Sequence, residues 1–67
     1  MFIEFSDKNS SYMYNAKVIN TIQRPSEADY FIIQFESGVI QEYIFNSKAD
    51  CQFAYNWIRK QLTGEIN

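Results

Sequence analysis

The chain has 67 residues, a formal net charge of −2, one cysteine and no histidine. A chain this short forms one small domain with a thin core, so we expect a single domain over residues 1–67. One cysteine excludes an internal disulfide, and without histidine it cannot supply the four ligands of a structural zinc site. Oligomerisation remains as the way in which so small a scaffold gains stability.

The N-terminal part of the chain is predicted to form β-strands. Residues 2–5 are short and β-prone, which indicates an edge strand. Residues 12–23 are predicted to form a second, long strand whose even-numbered positions make the more apolar face. The segment 24–28 ends this strand, because Pro25 lacks an amide donor and restricts the residue before it.

A β-hairpin is the clearest pattern in the sequence, with strands at about residues 29–36 and 39–45. Both strands carry apolar side chains on both faces, whereas an antiparallel sheet with one solvated face alternates more cleanly. One helix covers only one face of a small sheet. We therefore expect the second face to be covered by loops, by the N-terminal strand or by another copy of the chain.

The register of this hairpin depends on the length of its loop. A two-residue loop would pair Phe31 with Ile44, and a three-residue loop with Gly38 in the left-handed region would pair Phe31 with Tyr43. Serine is poorly suited to the positive φ that a type I′ turn requires at its first position, where Ser37 would lie. The three-residue loop is therefore the favoured prediction.

The C-terminal part is predicted to form an amphipathic helix over about residues 47–63. Ser47 suits the N-cap and Gly64 the left-handed position after the last turn. An apolar stripe at helical spacing is predicted to face the sheet, and it consists of Cys51, Ala54, Trp57, Ile58 and Leu62, flanked by Phe53 and Tyr55. The predicted fold is α+β, a three- to four-stranded antiparallel β-meander followed by one helix packed on one sheet face.

The sequence lacks the residues on which most catalytic mechanisms depend. The absence of histidine removes the commonest general base and every Ser-His or Cys-His pair. With Gly38 and Gly64 as the only glycines, no phosphate-binding loop can be formed. We expect a protein that is not an enzyme and that uses no cofactor, metal ion or small-molecule substrate.

Tyrosines on the strands are the main candidates for a binding surface. Twelve residues are aromatic and five of them are tyrosine, which is rigid, amphipathic and enriched at protein interfaces. The candidate partner-binding residues are Tyr12, Tyr14, Tyr30, Ile32 and Tyr43. The resulting hypothesis is a protein–protein interaction module, acting through a sheet face or sheet edge and forming a homodimer. A small acidic inhibitor or adaptor fits the same features, by analogy in size and charge with phage-encoded antagonists of host machinery.

RNA or single-stranded DNA binding is the alternative hypothesis. Strand aromatics would stack on bases while Lys48, Arg59 and Lys60 contact phosphates. The charge distribution opposes it, since residues 1–45 hold three basic against six acidic residues and residues 46–67 hold three against two. No apolar run is long enough for a membrane span and no signal sequence is recognisable, so we expect a cytoplasmic protein without membrane contact.

Overall fold

The computed structural model describes residues 1–64. Within them the chain forms antiparallel strands in two sheets followed by one C-terminal helix, which confirms the predicted α+β order. The elements are β1 (Phe2–Ser6), β2 (Ser11–Asn15), β3 (Ile19–Gln23), β4 (Tyr30–Phe35), β5 (Ile40–Ile44) and α1 (Lys48–Thr63). β1 pairs with β2, and β3, β4 and β5 form the second sheet in that order. The helix contacts mainly β1 and β4.

The predicted strand over residues 12–23 is divided into β2 and β3 by a 3₁₀ turn at Ala16–Val18. The Asn15 side chain accepts a hydrogen bond from the backbone of Lys17 at 3.0 Å and starts this turn, a local bond that competes with strand pairing. The turn interrupts the alternation at residues 16–19, and a register shift between Ile19 and Thr21 then returns Ile22 to the predicted even, core-facing side. Val18 is therefore exposed, contrary to the predicted apolar even face, and Ile19 packs against the core in its place.

The hairpin of β4 and β5 has the predicted three-residue loop. Phe31 is paired with Tyr43, and the Phe35 amide donates to the carbonyl of Val39 at 2.8 Å. Gly38 has a φ of 93°, a conformation that costs glycine no steric energy. This register places Phe31, Ile33 and Tyr43 on one face of the sheet, where all three are fully buried.

One hydrophobic core joins both sheets and the helix. Its buried members are Ile3, Phe5, Phe31, Ile33, Tyr43, Phe45, Cys51, Ala54 and Ile58. The Phe5 ring lies 5.0 Å from that of Tyr43 and 5.6 Å from that of Phe31, so the β1–β2 hairpin faces the second sheet through aromatic contacts. Burial of each large side chain contributes about 1.5–3 kcal/mol. The β1–β2 hairpin therefore covers the core-facing side of the sheet formed by β3, β4 and β5.

The helix begins and ends as predicted. The Ser47 hydroxyl accepts from the Asp50 amide at 3.0 Å, and Gly64 adopts the left-handed conformation with a φ of 75°. Cys51 and Ile58 are buried as expected. The apolar stripe is nevertheless narrower than predicted, because Trp57 is 39% exposed. Its indole instead lies along strand β1.

Candidate interaction surfaces

Three of the five candidate partner-binding residues lie on the core side of the sheets. Tyr43 is fully buried, and Tyr12 and Tyr14 are half-buried and pack against the core. The Tyr14 and Tyr43 hydroxyl oxygens are 2.7 Å apart, and the Tyr12 and Tyr43 rings meet at 5.0 Å. The structure thus corrects the expectation of an exposed patch at Tyr43, since its pairing with Phe31 turns the side chain inward.

The chemistry of these hydroxyls fits a structural role. Burial raises the pKa of Tyr43 well above its ordinary value, and the hydrogen bond with Tyr14 acts in the same direction. Desolvation also raises the pKa of Tyr12, helped by the Asp7 carboxylate, which accepts from the Tyr12 hydroxyl at 3.1 Å. Tyr12 and Tyr43 therefore remain protonated at neutral pH, and the hydrogen bond between Tyr14 and Tyr43 links the two sheets.

Tyr30 and Ile32 lie on the opposite face of the second sheet. The outer face, as we call it, consists of Thr21, Gln23, Tyr30, Ile32, Gln34, Ile40, Glu42 and Ile44. Of these, Ile40 and Ile44 are exposed, and none belongs to the core or packs against it. Glu42 is the one charged side chain in the set. The helix and the β1–β2 hairpin contribute their core residues to the inner face.

The free edge of β5 borders this outer face. Phe35 and Asp29 form ladder hydrogen bonds with Val39 and Phe45, so the alternation of an antiparallel pair directs the peptide groups of residues 40, 42 and 44 away from β4. The Ile44 carbonyl accepts from the Lys8 amide at 3.1 Å. The peptide groups of Ile40 and Glu42, here called the β5 edge, have no partner strand within residues 1–64.

The free edge of β1 is closed by the helix. The amide of Glu4 donates to Oε1 of Gln61 at 2.9 Å, and its carbonyl accepts from Nε2 of Gln61 and from Nε1 of Trp57, both at 3.1 Å. The primary amide of Gln61 thus supplies the donor and acceptor that a neighbouring strand would offer. The sequence did not suggest this role for either side chain.

A cleft lies beside this closure, between β1 and the N-terminal part of the helix. Its volume is about 680 Å³. Three large apolar side chains remain exposed around it: Phe53 at 75%, Met13 at 63% and Trp57 at 39%. Asp50, Phe53 and Trp57 follow one another at helical spacing beside the buried stripe. Phe53 and Trp57 are the apolar residues of this set that signal the cleft, whereas the sequence predicts Trp57 within the sheet-facing stripe and Phe53 on its flank.

Among the basic residues of the helix, Lys48 lies apart from Arg59 and Lys60. Lys48 opens the helix and Arg59 lies near its end, a spacing of eleven residues, or roughly 16 Å along the axis. The Arg59 guanidinium lies 5.8 Å from the centre of the Tyr55 ring, and with Lys60 it borders a shallow depression of about 210 Å³. The structure therefore does not bring the three predicted phosphate contacts into one patch.

The remaining reactive group is the thiol of Cys51. It is fully buried, and burial raises its pKa, an effect that the nearby Arg24 guanidinium partly opposes. It packs as a small apolar side chain, as expected. In the part of the chain that the structure describes, no three histidine, cysteine or acidic side chains come together to hold a metal ion.

Within residues 1–64 no helix has both the length and the apolar character required to cross a membrane. Comparison with protein-family models, with curated proteins and with solved structures finds no match to this chain.

Proposed function

We propose that this chain is a non-catalytic protein–protein interaction module that acts as a homodimer, with the β5 edge of one copy paired to the β5 edge of the other. The observation that carries the proposal is the unpaired strand edge at Ile40 and Glu42, next to an outer face with a single charge. Exposed, unpaired edges invite pairing with another chain. Lysine and proline, which often protect such edges, are absent from β5, and Glu42 is its one charged residue.

Charge selects the register of the proposed dimer. An antiparallel pair centred on Glu42 would place two carboxylates directly opposite each other, which is unfavourable. A two-fold axis through Gln41 instead places Ile40 opposite Glu42 of the second copy and uses the outward peptide groups of both residues for four hydrogen bonds. This register also leaves the bond between Ile44 and Lys8 intact.

The proposed dimer enlarges the outer face. Two three-stranded sheets joined at β5 make one six-stranded sheet, and the exposed Ile40 and Ile44 of the two copies become neighbours. The acidic balance of the chain favours a basic partner for such a surface. An adaptor or inhibitor role in the cytoplasm, as expected from size and charge, is consistent with this arrangement.

Proline substitutions at adjacent positions test the dimer. Glu42→Pro replaces an amide that points out of the sheet, where proline is tolerated, and its ring would block an incoming strand. Gln41→Pro removes an amide directed at Ile33 and serves as the control that disrupts the sheet itself. Sedimentation velocity and light scattering should show a wild-type dimer, a folded Glu42→Pro monomer and an unfolded or strongly destabilised Gln41→Pro protein.

Two results would contradict the proposal. One is a wild-type protein that stays monomeric up to its solubility limit. The other is a Glu42→Pro protein that dimerises with unchanged affinity, because a proline on the pairing edge cannot form the required hydrogen bonds. If the protein bound unrelated single-stranded RNA at low salt, the alternative function, nucleic-acid binding through the basic helix residues, would be favoured instead.

A further inference from the structure

The cleft between β1 and the helix carries an inference that is separate from dimerisation, since it shares no residue with the β5 edge. Phe5, Phe45 and Ala54, all buried, form its floor, and the exposed side chains of Phe53 and Trp57 stand along the helix wall. Exposed apolar side chains that are grouped around a concavity, unlike ones scattered singly over a surface, mark binding sites. The cleft therefore offers apolar contact area to another molecule.

The rim of the cleft is acidic. Glu4, Asp7 and Asp50 stand around it, with Lys8 as the basic member. The Asp7 carboxylate already accepts hydrogen bonds from the Asn9 and Ser10 amides. The complementary ligand is therefore one that combines apolar side chains with positive charge.

Strand β1 adds a peptide-binding element to one wall. The peptide groups of Glu4 and Ser6 face away from β2 by the alternation of the ladder, and those of Glu4 are bound by Gln61 and Trp57. Ser6 lies in the lining of the cleft, and within residues 1–64 no backbone group from another element bonds to its peptide groups. The amide and the carbonyl of Ser6 are thus available to pair with the backbone of an extended ligand.

The pairing site is short. On one side Glu4 is closed by the helix, and on the other the Lys8 amide is taken by the carbonyl of Ile44. Only the residue between them, Ser6, can pair with a ligand. A long added strand does not fit this edge, whereas a short extended segment fits both the single free peptide unit and the neighbouring apolar floor.

We propose that this cleft binds a short extended segment of another protein in which leucine-like or aromatic side chains alternate with lysine or arginine. The apolar side chains pack between Phe53, Trp57 and the floor, the basic side chains meet Glu4 and Asp50, and the segment's backbone bonds to Ser6. Alternation matches the geometry of a strand, whose successive side chains point to opposite sides. The partner is thus a basic, apolar peptide segment.

The single tryptophan of the chain, Trp57, reports on the cleft. The probe is a capped hexapeptide of alternating leucine and lysine, titrated into the full chain while tryptophan emission is recorded. We expect a saturable blue shift. Peptides in which glutamate replaces lysine, or alanine replaces leucine, should bind at least about tenfold more weakly, as expected when a contact worth somewhat more than 1 kcal/mol is lost.

Variants of the protein localise the binding. Phe53→Ser should weaken binding about tenfold, and Asp50→Asn should weaken it about threefold and reduce its salt dependence. Phe2→Ser is the control for Phe53→Ser, since Phe2 is a 62% exposed phenylalanine on β1 that lies outside the cleft. Equal weakening by Phe2→Ser and Phe53→Ser, equal binding of the glutamate peptide, or no change in emission at any concentration would overturn the proposal.

A dimerisation variant separates this inference from the proposed function. Glu42 lies outside the cleft, so the monomeric Glu42→Pro protein should bind the lysine–leucine peptide with unchanged affinity. If instead the Trp57 emission changes with protein concentration alone, in step with dimer formation, the cleft is filled by a second copy and the peptide proposal fails.

Discussion

Two of the edge strands of this molecule, β1 and β5, differ in what covers their free edges. At β1 the side chains of Gln61 and Trp57 bind both peptide groups of Glu4. At β5 the peptide groups of Ile40 and Glu42 have no such cover within residues 1–64. The same contrast divides the sheet faces, because the inner face forms the core and the outer face does not.

This difference shows how much of the sheet surface a single helix can cover. The 16-residue helix helps to cover one sheet face with its apolar stripe and closes one strand edge with Gln61 and Trp57. The uncovered edge and face adjoin each other at Ile40. A small domain with a thin core gains most from association on such a continuous surface. Four predictions test the contrast between the covered and the open side.

The largest loss of stability is expected at Ile33 of β4, and its neighbour Ile32 provides the comparison. Ile33 is fully buried on the inner face, so Ile33→Ala should lower the free energy of unfolding by about 2–5 kcal/mol. Ile32 lies half-buried on the outer face, and Ile32→Ala should cost less than about 1.5 kcal/mol in a monomer. Urea unfolding of both variants at equal concentration measures the difference. Equal losses would contradict the division into a covered and an open face.

The next prediction concerns the hydroxyl of Tyr43 on the covered side. Tyr43→Phe removes its hydrogen bond with Tyr14 and should cost about 1–2 kcal/mol at neutral pH. Because burial raises the Tyr43 pKa in the folded protein, its protonated form supports folding fully below the unfolded pKa near 10, and stability falls as the pH rises above that value.

The phenylalanine variant lacks that ionisation, so its stability should decline less steeply above about pH 10 than that of the wild type. Urea unfolding at neutral pH and at several alkaline pH values compares the two slopes. If stability fell equally steeply with pH in both proteins, ionisation of Tyr43 would not be the cause of the alkaline loss of stability. Tyr12, whose pKa is also raised, accounts for part of any slope that remains.

Several of these features were predictable from local sequence. The helix limits at Ser47 and Gly64 follow from cap chemistry, and the hairpin register follows from the poor fit of Ser37 to a positive φ. The break at Asn15 was missed because a single side-chain bond interrupts an otherwise continuous strand pattern. The closure of β1 by Gln61 depends on residues 57 positions apart, a long-range contact that no local pattern reveals.

The third prediction concerns a variant in which the free edge of β1 is uncovered. Gln61→Ala leaves the Glu4 amide to water and removes one of two donors to its carbonyl, which should cost about 1 kcal/mol because solvent replaces the lost bonds. Lys60→Ala, which removes an exposed polar side chain of the same helix, is the control and should cost less. Urea unfolding measures both losses. A neutral Gln61→Ala variant would show that the closure of β1 adds nothing to stability.

The smallest effect is expected at the open edge, and it tests the register of the dimer. In the proposed pairing, residue 40 lies opposite Glu42 of the second copy. Ile40→Glu then places like charges opposite each other twice, and Ile40→Lys places opposite charges there. Ile40 is 61% exposed, so both changes should leave the monomer folded.

Cross-strand pairs contribute roughly 0.2–1 kcal/mol each and the dimer has two of them, so the two variants should differ in dimer dissociation constant by about twofold to thirtyfold, with the glutamate variant the weaker. Added salt should narrow that difference, since screening acts on exposed charges. Sedimentation equilibrium at low and high salt measures both effects. Equal dissociation constants would reject this register even if the chain dimerises, because only a different alignment of β5 keeps residue 40 away from Glu42.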